Sequence, residues 1–172
     1  MSEHNLSCLS YASTATAKCS SPEIGFILEK AIQNNAQLNI TGALFLGNNY
    51  FLQFLEGSRI NINLLFRHIV ADDRHTNVQV LEFREIGSRS FEEWSMKHVR
   101  SPSVMAKIMR ETKMREFNPY LLDTFSLHAM ADAFRNHLEP DVPNSTFNHK
   151  SELVVKKKGN LDILKMFGKH SS

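Results

Sequence analysis

The sequence contains few of the residues that mark several large classes of protein. Its only cysteines, Cys8 and Cys19, cannot form a disulfide framework or complete a zinc site by themselves, so we expect a reducing, cytoplasmic setting. No run reaches the roughly 18 consecutive apolar residues that a membrane span requires. The N-terminal residues have no basic segment followed by an apolar one, which argues against a secretory signal.

Charge of one sign is also scarce. The formal net charge is +2 over 172 residues, which is too small for strong steering toward nucleic acid. Residues 150–172 hold six lysines against Glu152 and Asp162, a net charge of +4, so the preceding residues sum to −2. A solvated tail that keeps the protein soluble explains this basic segment better than a binding site does. We therefore expect neither a membrane nor a nucleic-acid partner.

What is present is a regular succession of strand and helix patterns. Strands are predicted over residues 6–12, 40–46, 50–55, 78–86 and 94–99. One helix is predicted to begin at Ser20-Ser21-Pro22-Glu23 and to close at Asn34-Asn35. A second is predicted between Gly57-Ser58 and the break at Asp72-Asp73-Arg74-His75, and Gly47-Asn48-Asn49 indicates a hairpin turn. The β-α-β-β-α-β order, with one further strand, predicts an α+β, ferredoxin-like fold with both helices on one face of the sheet.

The residues that follow can cover the other face. Helices are predicted over residues 103–115 and 121–137, separated at Asn118-Pro119, and the second has a broad apolar face. We expect one domain over residues 1–100, a helical pair over residues 101–140, and a linker with a basic, mobile tail over residues 141–172.

Two polar groups in predicted strands need partners. Gln53 interrupts the apolar run around it, and a buried amide left unsatisfied costs on the order of 1–3 kcal/mol per group. A bond to neighbouring backbone is the simplest explanation. Tyr11 has the equally simple explanation of a core tyrosine whose hydroxyl is satisfied.

Other candidates also have structural explanations when each is taken singly. Asn34-Asn35 suits a helix C-cap. His68 and Asp72 lie four residues apart and share a helix face, as a surface pair or beside a polar ligand. Trp94 and Met96 alternate along the last strand, which is typical of packing residues.

Taken together, these residues fall into an ordered series of motifs. The series is Ser10-Tyr11-Ala12, Asn34-Asn35, Ile40-Thr41-Gly42-Ala43-Leu44, Phe51-Leu52-Gln53-Phe54-Leu55-Glu56-Gly57, Asp73-Arg74-His75 and Phe91-Glu92-Glu93-Trp94-Ser95-Met96. It resembles the BLUF family, the blue-light sensors that use FAD. The resemblance covers roughly residues 4–100, and its most specific part runs from residue 35 to residue 57.

The resemblance implies roles for the candidates around a bound FAD. Tyr11 matches the family's photoactive tyrosine, and Gln53 its switching glutamine. Asn35 matches the asparagine that binds the pyrimidine edge of the flavin. Asn34 occupies the preceding site, where some members have histidine.

The resemblance extends to the second helix and the last strand. His68 and Asp72 match positions that approach the same flavin edge, and some members carry arginine where this chain has His68. Trp94 and Met96 match the pair of residues whose exchange near the switching glutamine is debated for the family.

The function that the resemblance implies is blue-light reception. Light-driven electron and proton transfer from Tyr11 would rearrange the hydrogen bonds of Gln53, and the last strand would pass the change to the C-terminal helices. We expect a stand-alone receptor rather than an enzyme, with no metal, a homodimeric or larger assembly, and a light-dependent protein effector that the sequence does not identify.

Two other classes of protein use the same fold. An acyl-phosphate hydrolase or a monooxygenase is one, but the sequence has no Gly-rich phosphate loop, no Cys-His nucleophile pair and no metal-spaced His/Cys cluster. The other is an RNA- or protein-binding module without chromophore. The Gly-rich basic motif expected of an RNA-binding sheet is missing around Tyr50 and Phe54.

Overall fold

The computed structural model describes residues 6–19, 31, 33–91, 97–98, 105–106, 109–110 and 114–136. Five strands are assigned: β1 (Leu6–Ala15), β2 (Thr41–Gly47), β3 (Tyr50–Ser58), β4 (His75–Glu85) and β5 (Lys97–His98). The described helical segments include α1, described at its end over residues 33–37, α2 (Arg59–Ala71) and α3 (Thr124–Asn136), which a 3-10 turn at Pro119–Leu121 precedes. Residues 105–106 and 109–110 are helical as well.

The strands form one sheet in the order β4-β1-β3-β2-β5. The pairs β4/β1, β1/β3 and β3/β2 are antiparallel, while β2 and β5 are parallel. Because β1 lies between β3 and β4, and β3 lies between β1 and β2, this is the interleaved topology of the ferredoxin-like fold. The predicted fold class is confirmed.

The two helices of the predicted unit cover one face of the sheet. The ring of Phe66 on α2 contacts the ring of Tyr11 at a centroid distance of 5.6 Å. On α1, Ala31 packs with Leu44 and Phe51. Side chains alternate between the faces of a strand, so these contacts place Gln53, which lies directly opposite Leu44 and Tyr11, on the same face. We call this the α2 face.

The other face is covered by α3, as the sequence predicts. Strand residues Ala43, Phe45, Leu52 and Phe54 pack in one core cluster with Leu127, Met130 and Phe134 of α3. We call this the α3 face. The broad apolar stripe predicted for the helix is only partly correct, because Leu121 and Phe125 are 74% and 81% exposed. The core-facing residues follow the helical period, and Phe125 lies on the opposite side of the helix.

The β2–β3 hairpin forms where it is predicted. Asn48 and Asn49 have positive φ values of 49° and 64°, which asparagine tolerates better than most residues. Gly42 is required for a different reason, close packing of the two strands, because a Cβ there would lie 1.9 Å from the backbone oxygen of Phe54. Only glycine allows β2 to approach β3 this closely.

Several predicted boundaries are wrong by a few residues. α1 does not close at Asn34-Asn35 but continues to residue 37, and Asn39, with a φ of 50°, ends it. The last helix begins at Thr124 rather than at residue 121, because Asn118 caps the 3-10 turn first. Ser58 caps α2 by accepting a hydrogen bond from the Asn61 N–H, as expected. The predicted tail lies outside the described residues, as does most of the predicted helix over residues 103–115.

Candidate functional site

The site centres on a tyrosine and a glutamine that two neighbouring strands bring together. Tyr11 of β1 and Gln53 of β3 are register partners, and both side chains are buried, with exposures of 1% and 4%. The Tyr11 hydroxyl donates a hydrogen bond to Gln53 Oε1. Thus the polar partner that a buried Gln53 requires is a side chain on the next strand.

The surroundings of Tyr11 keep its hydroxyl protonated. Burial raises the pKa of Tyr11 well above its ordinary range, and the negative charge of Asp72 raises it further. The edge-on contact with Phe66 holds the ring against α2. A neutral phenol in a fixed orientation is therefore the resting form, and its proton points at the amide oxygen.

Asn35 presents an unused hydrogen-bond acceptor beside the sheet. Its backbone carbonyl accepts from the Ile40 N–H at 2.9 Å, and the Asn39 N–H donates to Ala36, which together form a Schellman-type helix end. The side chain is therefore not the cap. Asn35 is 2% exposed, and its Oδ1 has no hydrogen-bond partner among the described residues. A buried acceptor of this kind is open to a donor from a bound ligand or a water molecule.

The donor that fits this acceptor is an imide N–H, and the pyrimidine edge of a flavin carries one. Asn34, also buried, adds a second amide at the same helix end. The residues present at this point of the fold therefore fit a flavin.

Asp72 lies at the C-terminal end of α2 and is held by Arg74. Arg74 Nε donates to both carboxylate oxygens, at 2.8 and 3.0 Å, and Arg74 Nη2 forms a third bond. Burial raises the pKa of Asp72, but the bonds from Arg74 outweigh it and keep the carboxyl below its ordinary pKa. His68, in the last turn of α2, is half-buried. Asp72 is thus paired with Arg74 within the chain, and His68 lies four residues before it on α2.

His75 lies on the same side of the sheet as Tyr11 and Gln53, beside Ser13 and Phe51. It is not predicted as a site residue from the sequence. Its Nδ1 lies 2.8 Å from Ser13 Oγ, and its ring lies 4.5 Å from that of Phe51. Burial lowers the pKa of His75 to about 4, with Arg74 adding to the effect and Asp72 opposing it. In the sequence, His75 belongs to the Asp73-Arg74-His75 motif, which indicates only the end of the second helix.

Two predicted site residues, Trp94 and Met96, lie outside the described residues. Among the residues that the structure does describe, no group of three or more His, Cys, Asp or Glu side chains could hold a metal ion. None of the helices in the described part of the chain is long and apolar enough to cross a membrane.

Sequence relatives share this region. A family model for BLUF, "Sensors of blue-light using FAD", matches residues 6–97. The beta subunit of photoactivated adenylate cyclase from Euglena longa is 36% identical over 95 residues, which are 55% of this chain and 11% of that protein. The alpha subunit from Euglena gracilis is 33% identical over 86 residues, 50% of this chain and 8% of that protein. The chain thus spans about a tenth of the length of these relatives.

Solved structures share the fold. The photo-activated state of BlsA has a TM-score of 0.71 at 31% identity and covers 76% of this chain and 94% of its own. The dark state of the BLUF protein BlrB has a TM-score of 0.67 at 27% identity, covering 78% and 98%. These matches do not favour a chromophore-free RNA- or protein-binding module. The family model covers more than half of the chain, and the chain belongs to the BLUF family of blue-light sensors that use FAD.

Proposed function

We propose that Tyr11 and Gln53 are the light-responsive pair of this blue-light sensor. The observation that carries the proposal is the hydrogen bond from the Tyr11 hydroxyl to Gln53 Oε1 between two buried side chains. A phenol is a source of one proton, and a carboxamide is both acceptor and donor. No other pair of side chains in the described part of the β1–β3 ladder combines these properties at full burial.

Bound FAD supplies absorption of blue light and an acceptor for an electron. The chain supplies the proton path. The Tyr11 proton would move to Gln53 Oε1 and the amide would turn. Tyr11 would then regain a proton, either from Oε1, which leaves a rotated amide, or from Nε2, which leaves the imidic acid tautomer. Because Tyr11 and Gln53 are buried, each hydrogen bond gained or lost between them has a larger energetic effect than it would have in water.

Four further side chains are proposed to hold the flavin. Asn35 offers its unpartnered Oδ1 to the pyrimidine edge, and Asn34 stands beside it. His68 and Asp72 approach from the end of α2, with Arg74 balancing the Asp72 charge. Trp94 and Met96 complete the photoactive set in this proposal.

The output is proposed to be a change in the contacts of the C-terminal helices. α3 packs directly on β2 and β3 through the core cluster of the α3 face, and β3 carries Gln53 on its opposite face. A shift of β3 therefore reaches α3 without an intermediary. We propose that the chain acts as a sensor rather than as an enzyme, in the cytoplasm, as a homodimer or larger assembly that engages a protein effector when illuminated.

The test is the absorption spectrum of the purified, FAD-loaded protein before and after blue light. The expected result is a shift of the flavin band to longer wavelength that decays in darkness. Tyr11→Phe removes the transferable proton and should abolish the shift while FAD stays bound. Tyr50→Phe, which removes the hydroxyl of a half-buried tyrosine on β3, is the matched control and should cycle normally. A normal photocycle in Tyr11→Phe would overturn the proposal.

A further inference from the structure

A buried carboxylate on β3 holds the chain segment that follows β4. Glu56 is 2% exposed, and its Oε2 accepts hydrogen bonds from the backbone N–H groups of Ser90, at 2.8 Å, and Phe91, at 3.0 Å. A carboxylate removed from water is costly unless such bonds compensate it. Backbone N–H groups bound to a carboxylate form some of the stronger hydrogen bonds in proteins.

The residue before this pair makes a second set of bonds to the same region. Arg89 Nη1 donates to Thr41 Oγ1 at 3.0 Å and to the backbone oxygen of Glu56 at 2.7 Å. Arg89 Nη2 donates to the backbone oxygen of Asn39 at 2.9 Å. A planar guanidinium can meet several acceptors at fixed angles, which a lysine cannot. We call Glu56, Arg89, Ser90 and Phe91 the clamp.

The clamp contacts two elements that carry proposed photoactive or flavin-binding residues, β3 with Gln53 and the end of α1 with Asn35. Asn39 ends α1, four residues after Asn35. Glu56 lies on β3, three residues after Gln53. Phe91 is buried in the core cluster of the α3 face, with its ring 6.3 Å from that of Phe54.

We propose that Glu56 and Arg89 are positioning residues for the light response, which hold the Arg89–Phe91 segment in the resting arrangement and favour return to it after illumination. The inference rests on the proposed function of Gln53. Glu56 and Gln53 are three positions apart on β3, so their side chains lie on opposite faces of the sheet. Both clamp residues therefore act through the backbone of β3 and the end of α1.

The direction of the effect follows from what the clamp stabilises. Its bonds are formed in the resting arrangement of β3 and α1. A rearrangement at Gln53 that shifts β3 strains or breaks them, and their re-formation helps to drive recovery. Weakening the clamp should therefore slow recovery in the dark.

The first experiment measures the rate of dark recovery of the FAD-loaded full chain. Glu56→Gln keeps the size of the side chain but removes its charge, and should slow recovery by up to about fivefold, the difference between charge-assisted and neutral bonds. Arg89→Lys keeps the charge but loses the planar guanidinium that bonds Thr41, Glu56 and Asn39 together, and it should also slow recovery. Recovery at the wild-type rate or faster in both variants would overturn the inference.

Two controls separate positioning from loss of charge or stability. Glu85→Gln removes an exposed carboxylate on the edge strand β4, where Glu85 pairs with Arg59. This variant should recover at the wild-type rate. Ser58→Ala removes the N-cap of α2 and supplies a general loss of stability without touching the clamp. Slowing of similar size in Ser58→Ala would assign the effect to stability and overturn the inference.

The second experiment measures the clamp directly, by amide hydrogen exchange rather than by flavin absorption. Amide hydrogen exchange at Ser90 and Phe91 should be slow in the dark wild-type protein, faster in Glu56→Gln, and faster in the wild type under blue light. Equal exchange in light and dark would overturn the inference even where the wild type shows its absorption shift. Absence of that shift in the wild type would instead refute the proposed function, and the dark exchange of Glu56→Gln would still decide whether the clamp holds the segment.

Discussion

The Tyr11 hydroxyl donates a hydrogen bond to Gln53 Oε1, although the two residues are 42 positions apart in the chain. Antiparallel pairing of β1 and β3 places them directly opposite each other on the α2 face. With Oε1 turned toward Tyr11, the two amide N–H groups of Gln53 are left as donors for other partners. The Gln53 side chain is therefore held in one of its two orientations. Rotation by 180° would turn its amide nitrogen toward Tyr11 in place of its oxygen, and such an exchange of donor and acceptor is what a hydrogen-bond switch requires.

Asn35 should be needed for flavin binding more than for folding. Asn35→Leu removes the acceptor that has no partner among the described residues, so we expect affinity for FAD to weaken by about 1–3 kcal/mol, or roughly 5- to 150-fold. The flavin-free protein should unfold at the same or a higher urea concentration, because a buried unsatisfied oxygen is lost. The measurements are FAD titration by fluorescence and urea unfolding.

The matched control for Asn35 is Asn63→Leu. Asn63 is exposed on α2, and its side chain donates to the Arg59 backbone oxygen at 2.8 Å. FAD affinity should not change in this variant. If Asn35→Leu bound FAD as tightly as the wild type, the assigned role of Asn35 would be wrong.

His75 should make the protein less stable in mild acid. Burial lowers its folded-state pKa to about 4, while in the unfolded chain it titrates near its ordinary 6.5. The unfolded state therefore binds more protons between these values, and the stability present above pH 6.5 is lost as the pH falls toward 4. Between pH 7 and pH 5 the free energy of unfolding should fall by about 2 kcal/mol from this residue.

The control for this pH dependence is His75→Asn, which can still meet Ser13 but does not titrate. Its loss of stability from pH 7 to pH 5, measured by urea unfolding, should be smaller than that of the wild type by the same amount. Asp72 does not contribute in this window, because its pKa is lowered from an ordinary value of 3.8 and its effect begins below that pH. Parallel curves for the two proteins would contradict a buried neutral His75.

The two cysteines should differ sharply in reactivity. Burial and the nearby charge of Glu56 raise the pKa of Cys8 to about 11, so almost none of it is thiolate at pH 8. Cys19 is partly exposed. A thiol reagent at pH 8 should modify Cys19 in the native protein and reach Cys8 only after unfolding. Rapid modification of native Cys19→Ser would show that Cys8 is more accessible than the structure describes.

The fold could be predicted from the sequence because its elements carry strong local signals. The Gly47-Asn48-Asn49 turn and the Ser58 cap both lie where the residue types predict them. The end of α1 was misplaced, because the residue that ends it is Asn39 and not the Asn34-Asn35 pair. Three asparagines near one helix end can each act as a cap, and tertiary contacts decide which one does.

The site could be predicted only in part. The motifs single out Tyr11 and Gln53, and the pairing of β1 with β3 places the two residues side by side. The sequence does not predict that Arg74 pairs with Asp72 or that His75 contacts Ser13. Both contacts depend on the conformation of the turn after α2 and on its position beside β1. The clamp at Glu56 was missed because its partners are backbone N–H groups, which leave no mark in a sequence.

The central claim is tested most directly by the light-minus-dark absorption difference spectrum of FAD-loaded Gln53→Leu, recorded beside the wild type. Leucine fills a similar space but can neither accept the Tyr11 proton nor form a new bond. The account predicts a reversible shift to longer wavelength in the wild type and none in Gln53→Leu, with equal flavin content. A shift of normal size and lifetime in Gln53→Leu would contradict it.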